Sequence, residues 1–345
     1  MRKNQILSQP TRPVSIDGQK NVAALLEKMQ GISFQGRTLA TAYQIWKRML
    51  SDRVMIMMGM SGAMVPAGMR RLVVYMIKNR LIDCLVSTGA NFFHDIHETL
   101  GRYHFQCAPE IDDVVLQKHL IDRMYDTLAD EEEFREADEM IGHFASTLDQ
   151  SRPYTTREFL NLLGKHLAQR AKEDGIVTAA YKAGVPLYCP AVGDSSIGIG
   201  IAENRHLGKN HFTFDVVGDV LETARLAADS PASAVIYFGG GTPKNFVNQT
   251  EVTATFIRNS HNGHKYAVQV VTDAPHWGGL SGCTFAESQS WGKIAHDAKM
   301  VDCHCDSTIA MPMLVTALSE NAALIRKRKK PVFEMERELK FTFPR

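Results

Sequence analysis

Residues 233–257, SAVIYFGGGTPKNFVNQTEVTATFI, open with a short apolar run, break at three glycines and continue in a longer stretch of helical pattern. A run of this length rich in Val, Ile, Tyr and Phe reads as a buried strand, and the longer stretch as the helix that covers it. The same unit recurs on both sides. LIDCLVS (81–87) leads into STGANFFHDIHETL (87–100), and VPLYCPAV (185–192) into GDSSIGIGIAENRHL (193–207). KYAVQVVT (265–272) leads into a Gly-rich loop, and KMVDCHC (299–305) into DSTIAMPMLVTALSE (306–320). Strand, turn and helix repeated in this way imply an α/β fold, a doubly wound parallel sheet with helices on both faces, because parallel strands need crossovers that cover the sheet.

Upstream, residues 20–80 are rich in helical patterns such as NVAALLEKM and TAYQIWKRML, and are expected to form a helical amino-terminal layer. No Pro/Ser-rich linker interrupts the chain, so residues 1–345 are expected to form one domain, with 1–20 as an arm and 326–345 as a basic tail. The polar segment 126–157 is expected to be a helical insert. The basic run Arg326 to Lys330 and the acidic run Asp130 to Glu133 read as solvated surface.

Composition narrows the function. At 44% apolar and 22% charged residues, with no apolar run near the roughly 20 residues that span a bilayer, no membrane role is expected. A net charge of +1 argues against nucleic acid as a partner. The start, MRKNQILSQPTRPVSIDG, has no apolar stretch behind its charges, so a cytoplasmic location is expected. Six cysteines without CxxC spacing indicate neither a disulfide framework nor a metal site.

In such sheets ligands bind beyond the carboxyl ends of the strands, where strand order reverses. Four groups of residues are expected there. Thr88-Gly89-Ala90-Asn91 stand between strand and helix, where small residues let backbone N–H groups approach an anion. Gly239-Gly240-Gly241 are costly in regular structure and suit a backbone lying against another group, such as a nucleotide. They are not GxGxxG, so the usual dinucleotide fingerprint is absent. Asp194, Asp273 and Asp306 follow strands, where a carboxylate can accept from a ribose hydroxyl or cap a helix. Finally, TDAPHWGGLSGCTFAESQSWGKI (272–294) sets Glu287, Trp291 and Lys293 close together. A lysine beside an aromatic ring in a dry site is deprotonated more easily and can attack an imine carbon, while Glu287 can hold an ammonium. Trp277, Trp291 and Phe285 are candidates for a dry lining.

SWGKI (290–294), with STGA (87–90), CPAxxD (189–194) and FGGG (238–241) in this order, resembles deoxyhypusine synthase over residues 20–320. The resemblance implies a Rossmann-like fold, NAD as cofactor near subunit boundaries, a homotetramer, and Lys293 as the residue that carries an aminobutyl group taken from a polyamine such as spermidine. It also implies cofactor contacts at Thr88, Gly89, Ala90, Asp194, Gly240, Thr272, Asp273, Asp306 and Ser307. Polyamine contacts fall on Glu287, Trp291 and Lys293, beside Gly278 and Gly279.

The departures are informative too. Where eukaryotic members carry polyamine-anchoring acids this chain has Ile199 and Leu280, and it has Asn245 for a histidine and His94 for a glutamate near the cofactor. A buried ammonium lacking its carboxylate costs several kcal/mol, so these changes should alter which amine binds. The function expected is a divergent, NAD-dependent aminoalkyl transferase acting on a polyamine or diamine. Its acceptor is a small amine, giving a homospermidine-type product, or a protein lysine, as on a translation factor. The alternatives are an NAD-dependent amine dehydrogenase and a nucleotide-binding assembly protein without activity.

Overall fold

Short polar residues ahead of apolar-periodic stretches start the first two helices. Asn21 accepts from the Ala24 amide at the head of α1 (Val22–Met29), and Ser33 precedes α2 (Phe34–Ser51). The chain then enters β1 (Met55–Met60), passes a π-helical turn (Val65–Met69) and continues through α3 (Arg70–Lys78), β2 (Cys84–Ser87) and α4 (Gly89–Thr99). An excursion follows: β3 (Phe105–Gln106), α5 (Asp113–Lys118), β4 (Ile121–Met124), β5 (Thr127–Asp130), α6 (Glu131–Ser146), α7 (Thr156–Leu167) and α8 (Ile176–Ala183). The remainder is β6 (Leu187–Tyr188), α9 (Ser196–His206), α10 (Val216–Ala228), β7 (Ser233–Phe238), α11 (Gly241–Arg258) and β8 (His264–Val271). It ends with α12 (Phe285–Ser290), β9 (Ile294–His304), α13 (Ser307–Ser319), α14 (Ala322–Lys327) and a hairpin of β10 (Val332–Glu334) and β11 (Lys340–Thr342). This computed structural model describes residues 7–107 and 110–344; the first six residues of the expected arm, and Arg345 of the expected tail, lie outside the described residues.

Six strands form one parallel sheet in the order β6-β2-β1-β7-β8-β9. From β1 the chain winds outward through β2 to β6, and from β7 it winds the other way to β9, so strand order reverses between β1 and β7. The doubly wound sheet, with helices on both faces, is the fold expected from the repeating units.

The sheet centre differs from the sequence reading. Residues 20–80 are not helical throughout, because they contain β1, which pairs with β2 on one side and β7 on the other. Its sequence, MIMMGM, is mostly methionine, an unbranched residue that favours helices by propensity, and so it carries no strand signature. Burial on both faces overrides that preference. Ile56, Met58 and Met60 enter the larger core cluster, whereas Met55 and Met57 enter the cluster on the opposite face.

The expected insert is also only partly helical. Residues 127–130 are β5, which pairs antiparallel with β3 and β4 in a small separate sheet. The acidic run has a local structural role: Asp130 accepts from the Glu132 and Glu133 amides, and Glu131 to Glu133 occupy the first turn of α6, where the helix dipole favours negative charge.

The basic run is not wholly solvated. Arg328 is buried and ion-paired with Asp83, which Arg80 also contacts at 3.0 Å, and Asp83 further accepts from the Ile56 amide of β1 at 2.9 Å. Arg157 donates to the carbonyls of Glu336 (2.7 Å) and Arg337 (2.8 Å), holding the loop between β10 and β11. Removing the carboxylate strands two buried guanidinium groups, so Asp83→Ala is expected to lower unfolding free energy by about 3–5 kcal/mol, as read by urea denaturation.

Candidate functional site

Loops at the carboxyl ends of β1 and β7 meet at the reversal point. The Gly240 amide donates to Ser61 Oγ at 2.8 Å, and the Ser61 amide donates to the Phe238 carbonyl at 3.0 Å. A third segment closes on them from residues 278–284. A Cβ on Gly240 would stand 2.3 Å from the Ser281 Cα, and the Gly241 amide donates to Ser281 Oγ at 3.1 Å. The glycines therefore allow two loops of this chain to touch, and in this conformation the amides of Gly240 and Gly241 are taken by serine hydroxyls rather than open to a phosphate.

Two further residues knit the neighbouring loops. Thr88 caps α4 by accepting from the Asn91 amide. Buried Asn91 donates to the Gly62 carbonyl at 2.9 Å and accepts from the Val65 amide at 3.2 Å, so the first turn of α4 fixes the loop after β1. Gly89 meets the loop after β6: a Cβ there would lie 2.1 Å from Ser195 Oγ. Ala90 is exposed beside it.

Lys244, in the first turn of α11, is buried, and its Nζ donates to the carbonyls of Leu280 (3.1 Å), Ser281 (3.2 Å) and Cys283. Burial pulls its pKa below the usual lysine range. Gln269 donates to the Ser281 carbonyl at 2.9 Å, and Asp302 accepts from the Phe285 amide at 3.3 Å. Buried Lys244 and Gln269 and half-buried Asp302 thus position the 280–285 segment, with Leu280 exposed upon it.

Lys293 Nζ lies 3.2 Å from Asn245 Oδ1, one residue after Lys244, and 5.4 Å from the centre of the Trp291 ring. The structure therefore brings Lys293, Trp291 and Asn245 together, a few residues from the triple glycine. Glu287 is exposed on α12 one turn before Trp291, with its amide on Thr284 Oγ1. The expected dry lining differs in a single chain: Trp277 is 76% exposed and Trp291 68%, whereas Phe285 is turned into the core against Tyr237. Gly278 and Gly279 are exposed beside Trp277, as is Ile199 on α9.

Among the expected cofactor positions, Asp194, Thr272 and Asp273 are exposed beyond β6 and β8. Asp306 caps α13, where bonds from the Thr308 hydroxyl and amide, each 2.6 Å long, lower its pKa, and Ser307 opens the helix. His94 is half-buried and sits in a chain, with Nδ1 3.0 Å from His104 Nε2 and His104 Nδ1 2.8 Å from Glu98 Oε1. A cavity of about 870 Å³ opens between this chain, the turn after β1 and the head of α13, lined by Met64, Pro66, Glu98, His104 and Asp306 among others.

Ser61, Lys244 and Ser281 were not singled out in the sequence. Ser61 would have been visible had β1 been read as a strand, since it follows that strand directly. A buried lysine has no sequence mark.

A doubly wound parallel sheet whose reversal-point loops gather these residues defines a Rossmann-like α/β protein. The family profile described as deoxyhypusine synthase matches residues 24–318. A Methanosarcina mazei protein called "Probable deoxyhypusine synthase 2" is 47% identical over 97% of this chain and 97% of its own. The "Deoxyhypusine synthase-like protein" of Elusimicrobium minutum is 34% identical over 92% of this chain and 85% of its own. A crystal structure ascribed to an Entamoeba histolytica deoxyhypusine synthase superposes with a TM-score of 0.61 at 17% identity, covering 89% of this chain and 96% of that one. The chain belongs to the deoxyhypusine synthase family. Among the described residues no helix is long and apolar enough to cross a membrane.

Two outcomes follow from the geometry. Replacing Lys244 by Met takes the lysine donor from the Leu280 and Cys283 carbonyls and leaves that of Ser281 to Gln269 alone, so stability is expected to fall by about 1–3 kcal/mol, with faster hydrogen exchange concentrated at residues 280–285. Burial, together with the neighbouring His104, holds His94 at about 3 and His97 at about 4, below their ordinary 6.5. Both rings stay neutral in the folded chain while the unfolded chain takes up protons, so stability falls as pH drops from 6.5 towards 4. His94→Asn should fall less steeply over that window in urea titrations at stepped pH.

Proposed function

We propose that this protein is an NAD-dependent aminoalkyl transferase that takes a 4-aminobutyl group from a polyamine or diamine and holds it on Lys293. The observation that carries the reading is the position of Lys293 Nζ, 3.2 Å from Asn245 in the first turn after the triple glycine. Lys293 directly precedes β9, and its side chain sets a primary amine against the helix that begins at the triple-glycine turn, the kind of turn beside which a cofactor of this fold class binds.

The residues present fit NAD. The crevice between β1 and β7, the heads of α4 and α13 and a cavity of about 870 Å³ suit a dinucleotide, whereas the occupied amides of Gly240 and Gly241 require the Ser281 segment to shift before a phosphate rests there. When bound, NAD supplies a hydride acceptor beside the amine carbon and returns the hydride at the end of the turnover.

The chain's own residues do the rest. Asn245 Oδ1 orients the Lys293 amine, and once deprotonated that amine bonds to the imine carbon of the donor and displaces its leaving amine. The Trp291 ring, 5.4 Å away, offers an apolar face beside the amine, and Glu287 offers a carboxylate to the substrate's far ammonium. Acceptor amine, small or on a protein, then takes the aminobutyl group from Lys293. A homotetramer with sites near subunit boundaries agrees with the exposure of Trp277 and Trp291 in the single chain.

Borohydride reduction of the protein incubated with NAD and labelled spermidine or putrescine is expected to leave label on Lys293. Equal labelling of Lys293→Ala protein sinks the covalent role, and stoichiometric NADH accumulation with amine and acceptor together favours a dehydrogenase.

A further inference from the structure

Next to the Lys293–Asn245 pair lies a buried polar cluster that the proposed chemistry does not use. Ser233 at the start of β7, Glu251 on α11 and His264 at the start of β8 are 1%, 2% and 0% exposed. Ser233 Oγ donates to Glu251 Oε1 and lies 2.8 Å from His264 Nδ1, while Arg258 pairs with the other Glu251 oxygen. His264 Nε2 lies 3.3 Å from the Val247 carbonyl. A carbonyl only accepts, so Nε2 carries a hydrogen and donates it.

The cluster stands where the lysine segment joins the sheet. The His264 amide donates to the Lys293 carbonyl at 3.0 Å. Ile294 pairs with His264, but the next pair is Tyr266 with Lys299, so β9 bulges away from β8 directly after Ile294. Gly263 makes this junction tight: its φ is +70°, and a Cβ there would stand 2.5 Å from the Ala295 nitrogen.

His264 therefore holds two pieces at once. Its backbone holds the carbonyl of Lys293, and its ring holds the carbonyl of Val247, two residues beyond Asn245 on α11. The 3.2 Å contact between Lys293 Nζ and Asn245 Oδ1 thus has His264 as a brace between its two sides.

Stability does not account for the arrangement. The elements that carry it contribute Val235, Val247, Ala267 and Ile294 to an apolar cluster, and an aliphatic side chain at 264 would avoid the cost of burying an imidazole beside a carboxylate. A satisfied buried polar network fixes one arrangement where apolar packing tolerates several.

We propose that His264, oriented by Ser233 and Glu251, is a positioning residue of the lysine site, which sets the Lys293 amine against Asn245 in the geometry that meets the donor imine. The inference rests on the transfer reading above. It adds a residue that acts on the chemistry without touching the substrate.

The test is the initial rate at which Lys293 takes label from spermidine with NAD and borohydride, measured over a range of spermidine concentrations. His264→Leu is expected to lower the maximal rate roughly tenfold, with the half-saturating concentration unchanged. His264→Gln, whose amide nitrogen takes the place of Nε2 against the Val247 carbonyl, should restore most of that rate. Ser233→Ala, expected to show a milder loss, replaces the leucine variant where that protein does not fold. A wild-type rate in the leucine and alanine variants, or a loss that glutamine does not restore, overturns the positioning role. A second readout needs no turnover: acetylation of Lys293 by acetic anhydride, followed by peptide mass spectrometry, should be severalfold faster in His264→Leu with other lysines unchanged. Wild-type protein that takes no label on Lys293 overturns the transfer reading. Equal acetylation of Lys293 in wild type and variants overturns the positioning role whether or not transfer occurs.

Discussion

Where Gly240 passes Ser281, a Cβ on the glycine would lie 2.3 Å from the serine Cα, closer than any two such atoms come. That approach lets the segment after β8 lie across the turn after β7, while the Ser61 and Ser281 hydroxyls take the amides that would otherwise be left without partners. Only with the 278–284 segment in this place does the chain deliver α12, and then Lys293, beside the first turn of α11. Lys293 and Asn245 are 48 positions apart in sequence and 3.2 Å apart in space because of it.

Two of the buried cationic arrangements contrast in their energetics. Arg80 and Arg328 share a carboxylate, Asp83, so their burial is offset by an ion pair and the β10–β11 region is held to the sheet. Among the described residues Lys244 makes no ion pair, and it relies on three backbone carbonyls instead. Hydrogen bonds to a charged group contribute about 1.5–3 kcal/mol each, enough together to offset a desolvation penalty of several kcal/mol. An ammonium bound to carbonyls of one loop specifies that loop's path, whereas a carboxylate partner would fix only one point. The more demanding arrangement therefore lies where position matters most.

The five strand–turn–helix units were legible because runs such as AVIYF and YAVQVV combine β-branched and aromatic residues and stop at Gly or Thr-Asp. β1 was not, since MIMMGM has neither, and the centre of the sheet is where burial on both faces makes propensity least decisive. The small sheet escaped for another reason: strands of two to four residues, such as Phe105–Gln106, are too short to show alternation. At the site, the triple glycine announced a close approach but not what approaches, because the partner segment is remote in sequence. The lysine of SWGK stood out only through family likeness; spacing alone does not distinguish it from Lys244, whose burial was invisible.

A chain that handles an imine must keep water from it, since hydrolysis to an aldehyde ends the transfer. Under the proposed chemistry the single chain leaves that task unfinished, for Trp277 and Trp291 flank the lysine segment with most of their surface exposed. Covering a tryptophan removes on the order of 150–250 Å² from water, and at about 25 cal/mol per Å² two of them contribute several kcal/mol to whatever surface closes over them. The same contact would shield the Lys293 amine from water, so under the proposed chemistry closure of the site and protection of the imine are one event. An aromatic rim left open in the free chain is therefore what an enzyme of this chemistry needs if it is to become reactive only once assembled.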